Sequence, residues 1–464
     1  MLTTGWLDKL ESRQDTPHFI VSNFGDPLTP HRILLATDLP FWRRSTGAEQ
    51  RIARLVEFLS RSGYRVRVFF LSATTQIHHA HSELTDEDRR IIEAQKLDVE
   101  VNRSSQPPKQ LSKKIAWYLK AIKHQFGKDH FGKRKSSPGP SSKDTLTNQT
   151  AASTTTLADY RWPWAINAFQ ESIQSFAPDS VIIEYVKLSY LLEALTFTQR
   201  KKIHCLLDTH DILHLRNEQF QERGLVHWLD INRKEETEVL RLFDTILAIQ
   251  IEEANLFRDL VPEKNVLVCG HTPEPLPAPK KQRSTSETFT IGYLASANAS
   301  NLRSFTNFIS QSWTAISDQC EIRLIVAGKI CDAISEASPS LLKEYSNITT
   351  IGSVNELAEF YHQIDVVINP VEFGTGLKIK NCEAVFFGKP LVTTTMGLDG
   401  LLAKSGESLM VCNSPRDWNN CLIQLAQNPS ERLRRQNAAA KLSQLGFSDQ
   451  EVYSELDVAL RSKK

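Results

Sequence analysis

From Arg32 onward, short apolar runs recur along this 464-residue chain: RILLATD, YRVRVFFLS, DSVIIEY, IHCLLD, DTILAI and NVLVC, mostly separated by stretches of helical length and period. Strands that alternate with helices imply a parallel sheet, because each crossover needs a helix's worth of chain. After Cys269 the segment GHTPEPLPAPKKQRSTSET is too rich in proline and polar residues for a helix or a central strand and reads as a linker. A second series then begins with FTIGYLA, EIRLIVAG, ITTIG, DVVINP, KPLVTTT and ESLMVC. The pattern predicts an extension over residues 1–30, a first α/β lobe over 31–272, a linker over 273–288, a second α/β lobe over 289–430 and C-terminal helices over 431–464. The helical stretches from about Ser414 onward fit against either lobe. Two open sheets joined by one connector make a cleft, and ligands of such sheets bind beyond the carboxyl ends of the strands.

Composition narrows the function classes. Lys+Arg 55 against Asp+Glu 54 gives no overall field for nucleic acid, so attraction to a charged partner must be local. The start, MLTTGWLDKLESRQDTPHFI, has no basic end followed by an apolar core, and no stretch offers the ~20 apolar residues of a membrane span. A cytoplasmic protein is expected. Seven scattered cysteines without a CxxC suit reduced, mostly buried thiols, and no structural metal is expected. No GxGxxG follows the first strand, which argues against a dinucleotide dehydrogenase.

One segment breaks the alternation, an insertion at about 103–160. Within Leu111 to Lys135, apolar Leu111, Ile115, Tyr118, Leu119, Ile122 and Phe126 keep helical spacing, flanked by Lys113, Lys114, Lys120 and Lys123. Such a helix suits an anionic membrane surface, giving peripheral contact at the inner face, or packs on its own domain. The following KSSPGPSSKDTLTNQTAASTTT lacks the apolar content to offset ordering entropy and reads as a mobile loop.

The chemistry concentrates in NPVEFGTGLKIKNCEAVFFGKP, residues 369 to 390. It reads as a strand from Asp365 to Asn369, a loop from Pro370 to Thr375, a helix from Gly376 to Phe387, Gly388 as the stop and a strand from Pro390. Glycines at 374 and 376 let backbone amides approach a ligand, and a helix start favours phosphate. Lys378 adds a full charge. Glu383 falls among Cys382, Ala384, Val385, Phe386 and Phe387, which look buried, and a buried carboxylate needs partners. Adjacent ribose hydroxyls would serve. The spacing thus reads as a diphosphate seat followed by a ribose hook. The alternative is a plain turn with solvated lysines and a local Glu383–Lys380 pair.

FGTGLKIKNCEAVFFGKPLVTTTMGLDGL resembles the donor-site motif of the retaining GT-B-fold glycosyltransferases of family 4, the "glycosyl transferases group 1". TGAEQRIARLVEFLSRSGYRVRVFFLS resembles that family's first glycine loop, helix and second strand. LLDTHDILHLR resembles its mid-domain loop, and IGYLASANASNLRSFTNF with EIRLIVAG its opening strands of the second half. The likeness spans most of Arg32 to about Val411 apart from residues 103–160. It implies two Rossmann-like parallel-sheet domains, acceptor lobe first and donor lobe second, facing across a cleft. It implies a metal-independent, hexosyltransferase-like enzyme of polysaccharide biosynthesis that needs no cofactor beyond its nucleoside-diphosphate-sugar substrate. The partners implied are that donor and a glycan or lipid-linked acceptor, with no nucleic acid. Residue by residue, Glu383 matches the second glutamate of a paired-glutamate motif that holds the donor ribose. Gly374, Thr375, Gly376 and Leu377 match the loop against diphosphate and sugar, Lys378 a phosphate contact, and Gly47 the cleft-facing glycine loop. His210, followed by Asp211, matches a histidine near the transferred sugar. Two positions depart: Thr375 stands where the first glutamate of the pair is expected, and the doubled glycine of the first loop is Thr46 and Gly47.

Rivals are a nucleotide-sugar-binding scaffold without turnover, a nucleotide-sugar epimerase, and a zinc hydrolase suggested by HDILH (His210 to His214) or by His78, His79 and His81. The Asp86 to Asp88 run after Thr85 is better read as a helix start than as a metal motif.

Overall fold

The computed structural model of the chain describes residues 30–72, 84–102, 155–273, 288–338, 341, 344–354, 356–401, 406–446 and 448–462. The N-terminal extension up to residue 29, His78 to His81, the basic segment 111–135 with the loop after it, and most of the linker lie outside the described residues.

Seven parallel strands form the first sheet: β1 Arg32–Thr37, β2 Arg65–Leu71, β3 Asp98–Asn102, β4 Ser180–Glu184, β5 His204–Asp208, β6 Thr245–Ala248 and β7 Asn265–Val268, in the order β3-β2-β1-β4-β5-β6-β7. Six more form the second: β8 Phe289–Leu294, β9 Ile322–Ala327, β10 Ile348–Thr350, β11 Val366–Asn369, β12 Leu391–Thr393 and β13 Leu409–Val411, in the order β10-β9-β8-β11-β12-β13. The order of each sheet reverses beside its first strand, between β1 and β4 and between β8 and β11. Loops leaving those strands diverge to opposite faces there and open a crevice at the carboxyl ends.

Side chains alternate across each strand and so feed two cores. In β1, Leu34 and Ala36 pack with Phe169 and Ile173 of the helix Pro163–Phe176, while Ile33 and Leu35 pack with Ile52, Leu55, Val56 and Leu59 of the helix Gly47–Arg61. The latter helix starts where the Thr46 hydroxyl accepts the Glu49 N–H at 3.3 Å. In the second lobe, Ile291 and Tyr293 join one core, and Val367 with Ala384 and Val385 the other.

The C-terminal helices divide between the lobes. The helix Pro415–Gln427 stays on the second lobe through Trp418, Leu422 and Leu425. The helix Asp449–Arg461 returns to the first, burying Tyr453, Leu456 and Leu460 beside Ile33 and Leu35. Tyr453 stacks on Phe58 at 4.7 Å, and Asp449 pairs with Arg54 at 3.2 Å and with Arg61 at 2.5 Å. The chain end therefore ties the second lobe back to the first.

Candidate functional site

A cavity of about 650 Å³ lies where the carboxyl ends of the two sheets face each other. The first lobe lines it with Gly47, Tyr185, His210 and Asp211, and the second with Lys329, Gly374, Thr375, Leu377, Lys378, Lys380 and Glu383. Every residue nominated from the sequence for the donor site except Gly376 is thus on one wall or the other. Gly376 is buried in the seam between them. A Cβ there would overlap the Asp211 carboxylate and come within 3.0 Å of the His210 carbonyl oxygen, and its φ of +81° also favours glycine. Across the same seam, a Cβ on Gly47 would come within 3.1 Å of Ile379, so glycine there lets the helices of the two lobes approach.

The glycine loop differs from its sequence reading in one respect that matters. Its helix is Ile379–Phe386, beginning after Lys378 and not at Gly376, because Gly374 at φ +113° and Gly376 at φ +81° keep the chain non-helical. Amides expected at a helix start are therefore loop amides, and the first lobe holds two of them. Gly374 N–H donates to Gln219 Oε1 at 2.6 Å and Gly376 N–H to Glu253 Oε1 at 2.8 Å. The Thr375 hydroxyl donates to the Ile212 carbonyl oxygen at 3.2 Å. Lys378 curls back over its own loop, its ammonium donating to the carbonyls of Gly374, Thr375 and Gly376 at 3.2, 3.3 and 2.7 Å.

Among the described residues, Lys329, Lys378 and Lys380 of the cleft make hydrogen bonds and no ion pair. Burial, reinforced by Lys378, pushes the Lys380 ammonium down to about 7; it donates to Asn301 Oδ1 at 2.7 Å and lies 5.2 Å above the Tyr293 ring. Burial also lowers Lys378, against the pull of Asp399 and Asp211. Lys329 Nζ reaches across the cleft to Ser45 Oγ at 3.2 Å. Glu383 is only 3% exposed, with the Tyr361 hydroxyl 3.5 Å from its Oε2.

Glu253 lies in the seam, and burial with the neighbouring Asp211 charge pushes its carboxyl up to about 8. A raised carboxyl contributes stability that is complete below its unfolded value near 4.5 and is lost as pH rises through 8. Glu253→Gln keeps an oxygen for Gly376 N–H and removes the titration. We expect the stability of the wild type to fall by about 4 kcal/mol more than that of the variant between pH ~5 and ~8.5. Parallel unfolding curves over that range would contradict this.

On the first lobe, His210 follows β5 at φ +60° and Tyr185 follows β4 at φ +65°, and their rings stack at 4.2 Å. His210 Nε2 is 2.5 Å from Glu184 Oε2. Burial, with the Arg51 and Lys187 charges, holds the imidazole well below its ordinary value, which favours the neutral ring. Glu184, Asp208 and His210 bring ligand-type atoms within 4.8 Å of one another, but the Arg51 guanidinium already pairs with Asp208 and supplies the cluster with a positive charge. The HDILH reading as a zinc helix does not survive: the helix Leu213–Glu222 begins after His210, and His214 Nδ1 turns to Glu236 Oε2 at 2.5 Å. Asp88 closes a capping box with Thr85 and accepts the Trp42 indole N–H at 2.8 Å, which makes Asp86 to Asp88 a helix start.

Gln219, Glu253, Lys329 and Lys380 were not nominated from the sequence. Lys329, in AGKI directly after a strand, carried a usable signal, since that is the ligand edge of an α/β sheet. Gln219 and Glu253 sit within ordinary helices and carried none.

The family model described as "Glycosyl transferases group 1" matches residues 288–428, the second lobe. An "Uncharacterized 44.6 kDa protein in cps region" of Klebsiella pneumoniae is 24% identical over 221 residues, 46% of this chain and 55% of that one, so the match spans about half the length of that relative. Among solved structures, sucrose-phosphate synthase from Thermosynechococcus elongatus superimposes with a TM-score of 0.61 at 13% identity, covering 93% of this chain and 98% of that one. HepE from Anabaena, in complex with UDP and glucose, gives 0.60 at 13% identity over 93% and 100%. The pneumococcal O-GlcNAc transferase GtfA, in complex with UDP and GlcNAc, gives 0.58 at 11% identity over 94% and 99%. The chain has the GT-B fold. Among the described residues no helix is long and apolar enough to cross a membrane.

Proposed function

We propose that this protein transfers a sugar from a nucleoside-diphosphate donor to a glycan or lipid-linked acceptor, in the cytoplasm, with retention of anomeric configuration and without a resident metal. The observation that carries this reading is the convergence, in one cleft, of Glu383 and three lysines from the second lobe with His210 and Asp211 from the first. Glu383 accepts the two ribose hydroxyls. Lys378, Lys380 and Lys329 take the diphosphate and, as the glycosidic bond breaks, its growing charge, which a site out of bulk water stabilises far more than solvent would. Gly47, Thr375 and Leu377 shape the space around the sugar, and His210 meets one of its hydroxyls. Relatives of this fold bound to UDP with glucose or GlcNAc support the donor class.

A second reading, a donor-binding module without turnover, is favoured by two features: Thr375 in place of a glutamate, and Gly374 and Gly376 amides held by Gln219 and Glu253. Incubation with UDP-, GDP-, ADP- or TDP-sugars separates the readings. Transfer requires acceptor-dependent release of nucleoside diphosphate. Thermal stabilisation by a donor that is never consumed indicates the binding module, and an isomerised donor without acceptor indicates an epimerase. Activity lost in chelator and restored by a divalent cation would refute metal independence.

The acceptor reading extends to an anionic membrane surface touched by residues 111–135. Replacing Lys113, Lys114, Lys120 and Lys123 by glutamine should reduce co-flotation with acidic liposomes at least ~10-fold at low salt. Unchanged flotation removes the membrane from the scheme.

A further inference from the structure

Glu184 ends β4 and Asp208 ends β5, and the two are paired side by side in register. Both are completely buried. Arg51 is the cation in contact with them, ion-paired to Asp208 and donating to the Cys269 carbonyl oxygen at 2.6 Å. Lys187 is engaged by Asp38 at 2.5 Å. Glu184 Oε2 faces His210 Nε2, while Glu184 Oε1 and Asp208 Oδ1 are buried with no N–H or O–H donor. Two ionised carboxylates side by side with one guanidinium would leave a net negative charge and two orphaned oxygens in a dry site. One proton held between the two neighbouring carboxyls removes both penalties.

We infer that Glu184 carries that proton on Oε1 and donates it to Asp208, so that its Oε2 accepts from His210 Nε2–H and fixes the ring as the tautomer whose Nδ1 bears a lone pair. Asp208 keeps the negative charge because Arg51 is on it. Burial and the Asp208 charge raise the Glu184 carboxyl well above its ordinary range, in the same sense. The groups facing Glu184 are Arg51, Asp208, Asp38, Tyr185, His210 and Cys269, with Lys187 over the Tyr185 ring. Stacking on Tyr185 fixes the ring plane, and the inward bond of Nε2 leaves Nδ1 as the nitrogen a ligand meets. Resting on the sugar-transfer reading, His210 is then an acceptor for a hydroxyl of the reacting sugar, a site that selects a hydroxyl over a keto or deoxy position. Glu184 is a positioning residue that acts through it.

Side-chain nitrogen NMR on the full chain, labelled at histidine and assigned with His210→Asn, tests this without any turnover. At about pH 7.5 we expect a neutral ring with the proton on Nε2, far below its imidazolium range. Raising the pH until Glu184 ionises should disturb the wild-type signal. Glu184→Gln presents an amide N–H to Asp208 and a carbonyl to His210, and should hold the Nε2–H tautomer throughout. A proton on Nδ1, an imidazolium, identical titration of both proteins, or quenching of the His210 signal by micromolar Mn²⁺ overturns the inference. In kinetics, Glu184→Ala should lower kcat at least ~10-fold by releasing the tautomer, while the donor-induced stabilisation held by Glu383 and the lysines persists. An unchanged kcat also overturns it, whereas failure of the wild type to bind any donor sinks the transferase reading and leaves the NMR result to stand by itself.

Discussion

Replacing Glu383 by alanine should abolish the stabilisation that a nucleoside-diphosphate sugar gives the wild type. Ligand at about 100 times its Kd adds ~2.7 kcal/mol to stability. Hydrogen bonds to a charged group contribute ~1.5–3 kcal/mol each, and a buried carboxylate that accepts two ribose hydroxyls makes two. Their loss weakens binding by a factor of ~10² to ~10⁴, enough to reduce the response to within error at the same concentration. The mutation itself is tolerable: Glu383 sits on the helix Ile379–Phe386, where alanine is a good helix former, and the ligand-free protein should remain folded. A thermal-shift series with the four donor classes reads the effect. An undiminished shift in Glu383→Ala would place the ribose elsewhere.

Arg51→Ala should be the most destabilising single change in the first lobe. Its side chain is 1% exposed, and removal strands Asp208 beside Glu184 without a counter-charge. Breaking a buried pair by removing one partner costs about 3–5 kcal/mol. Burial raises both carboxyls, with Arg51 pulling Asp208 back down, so without Arg51 each resists ionisation further. The penalty should therefore shrink as pH falls towards the carboxyls' unfolded values, and Asp208→Asn in the same protein should recover much of it. Denaturant midpoints at about pH 5 and about pH 8 give both comparisons. A loss below ~0.5 kcal/mol would mean that the cluster is not held by this ion pair.

The sheets were legible because their central strands, such as Ile33–Ala36 and Val181–Ile183, are buried on both faces and write continuous Ile, Val and Leu runs. The strand Asp98–Asn102 escaped notice because it is a half-exposed edge whose DVEVN interleaves two acids with two valines. The helical stretches after Ser414 were legible, but nothing local says which lobe the helix carrying Tyr453, Leu456 and Leu460 covers, since both offer an apolar sheet face. Glu383 and Lys378 could be found because one βαβ unit carries them within a few residues of each other. Gln219 and Glu253 come from two separate first-lobe helices that only the meeting of the lobes brings to the glycine loop, and Lys329, from another loop of the second lobe, meets Ser45 across the cleft. The helix start was misplaced because Gly-Thr-Gly-Leu-Lys suits either a first turn or a loop, and what decides it is the positive φ at Gly376, which glycine permits but does not dictate. His210 was named through a resemblance, while Glu184, the residue that orients it, ends the neighbouring strand β4 with no motif around it.

A crystal structure of the protein with a bound nucleoside diphosphate addresses the cleft most directly. We expect the ribose hydroxyls within about 2.5–3.2 Å of the Glu383 carboxylate and the phosphates against Lys378, Lys380 or Lys329, between the two lobes. A nucleotide seated outside that cavity, or in it with Glu383 out of reach, would contradict the proposal at its root.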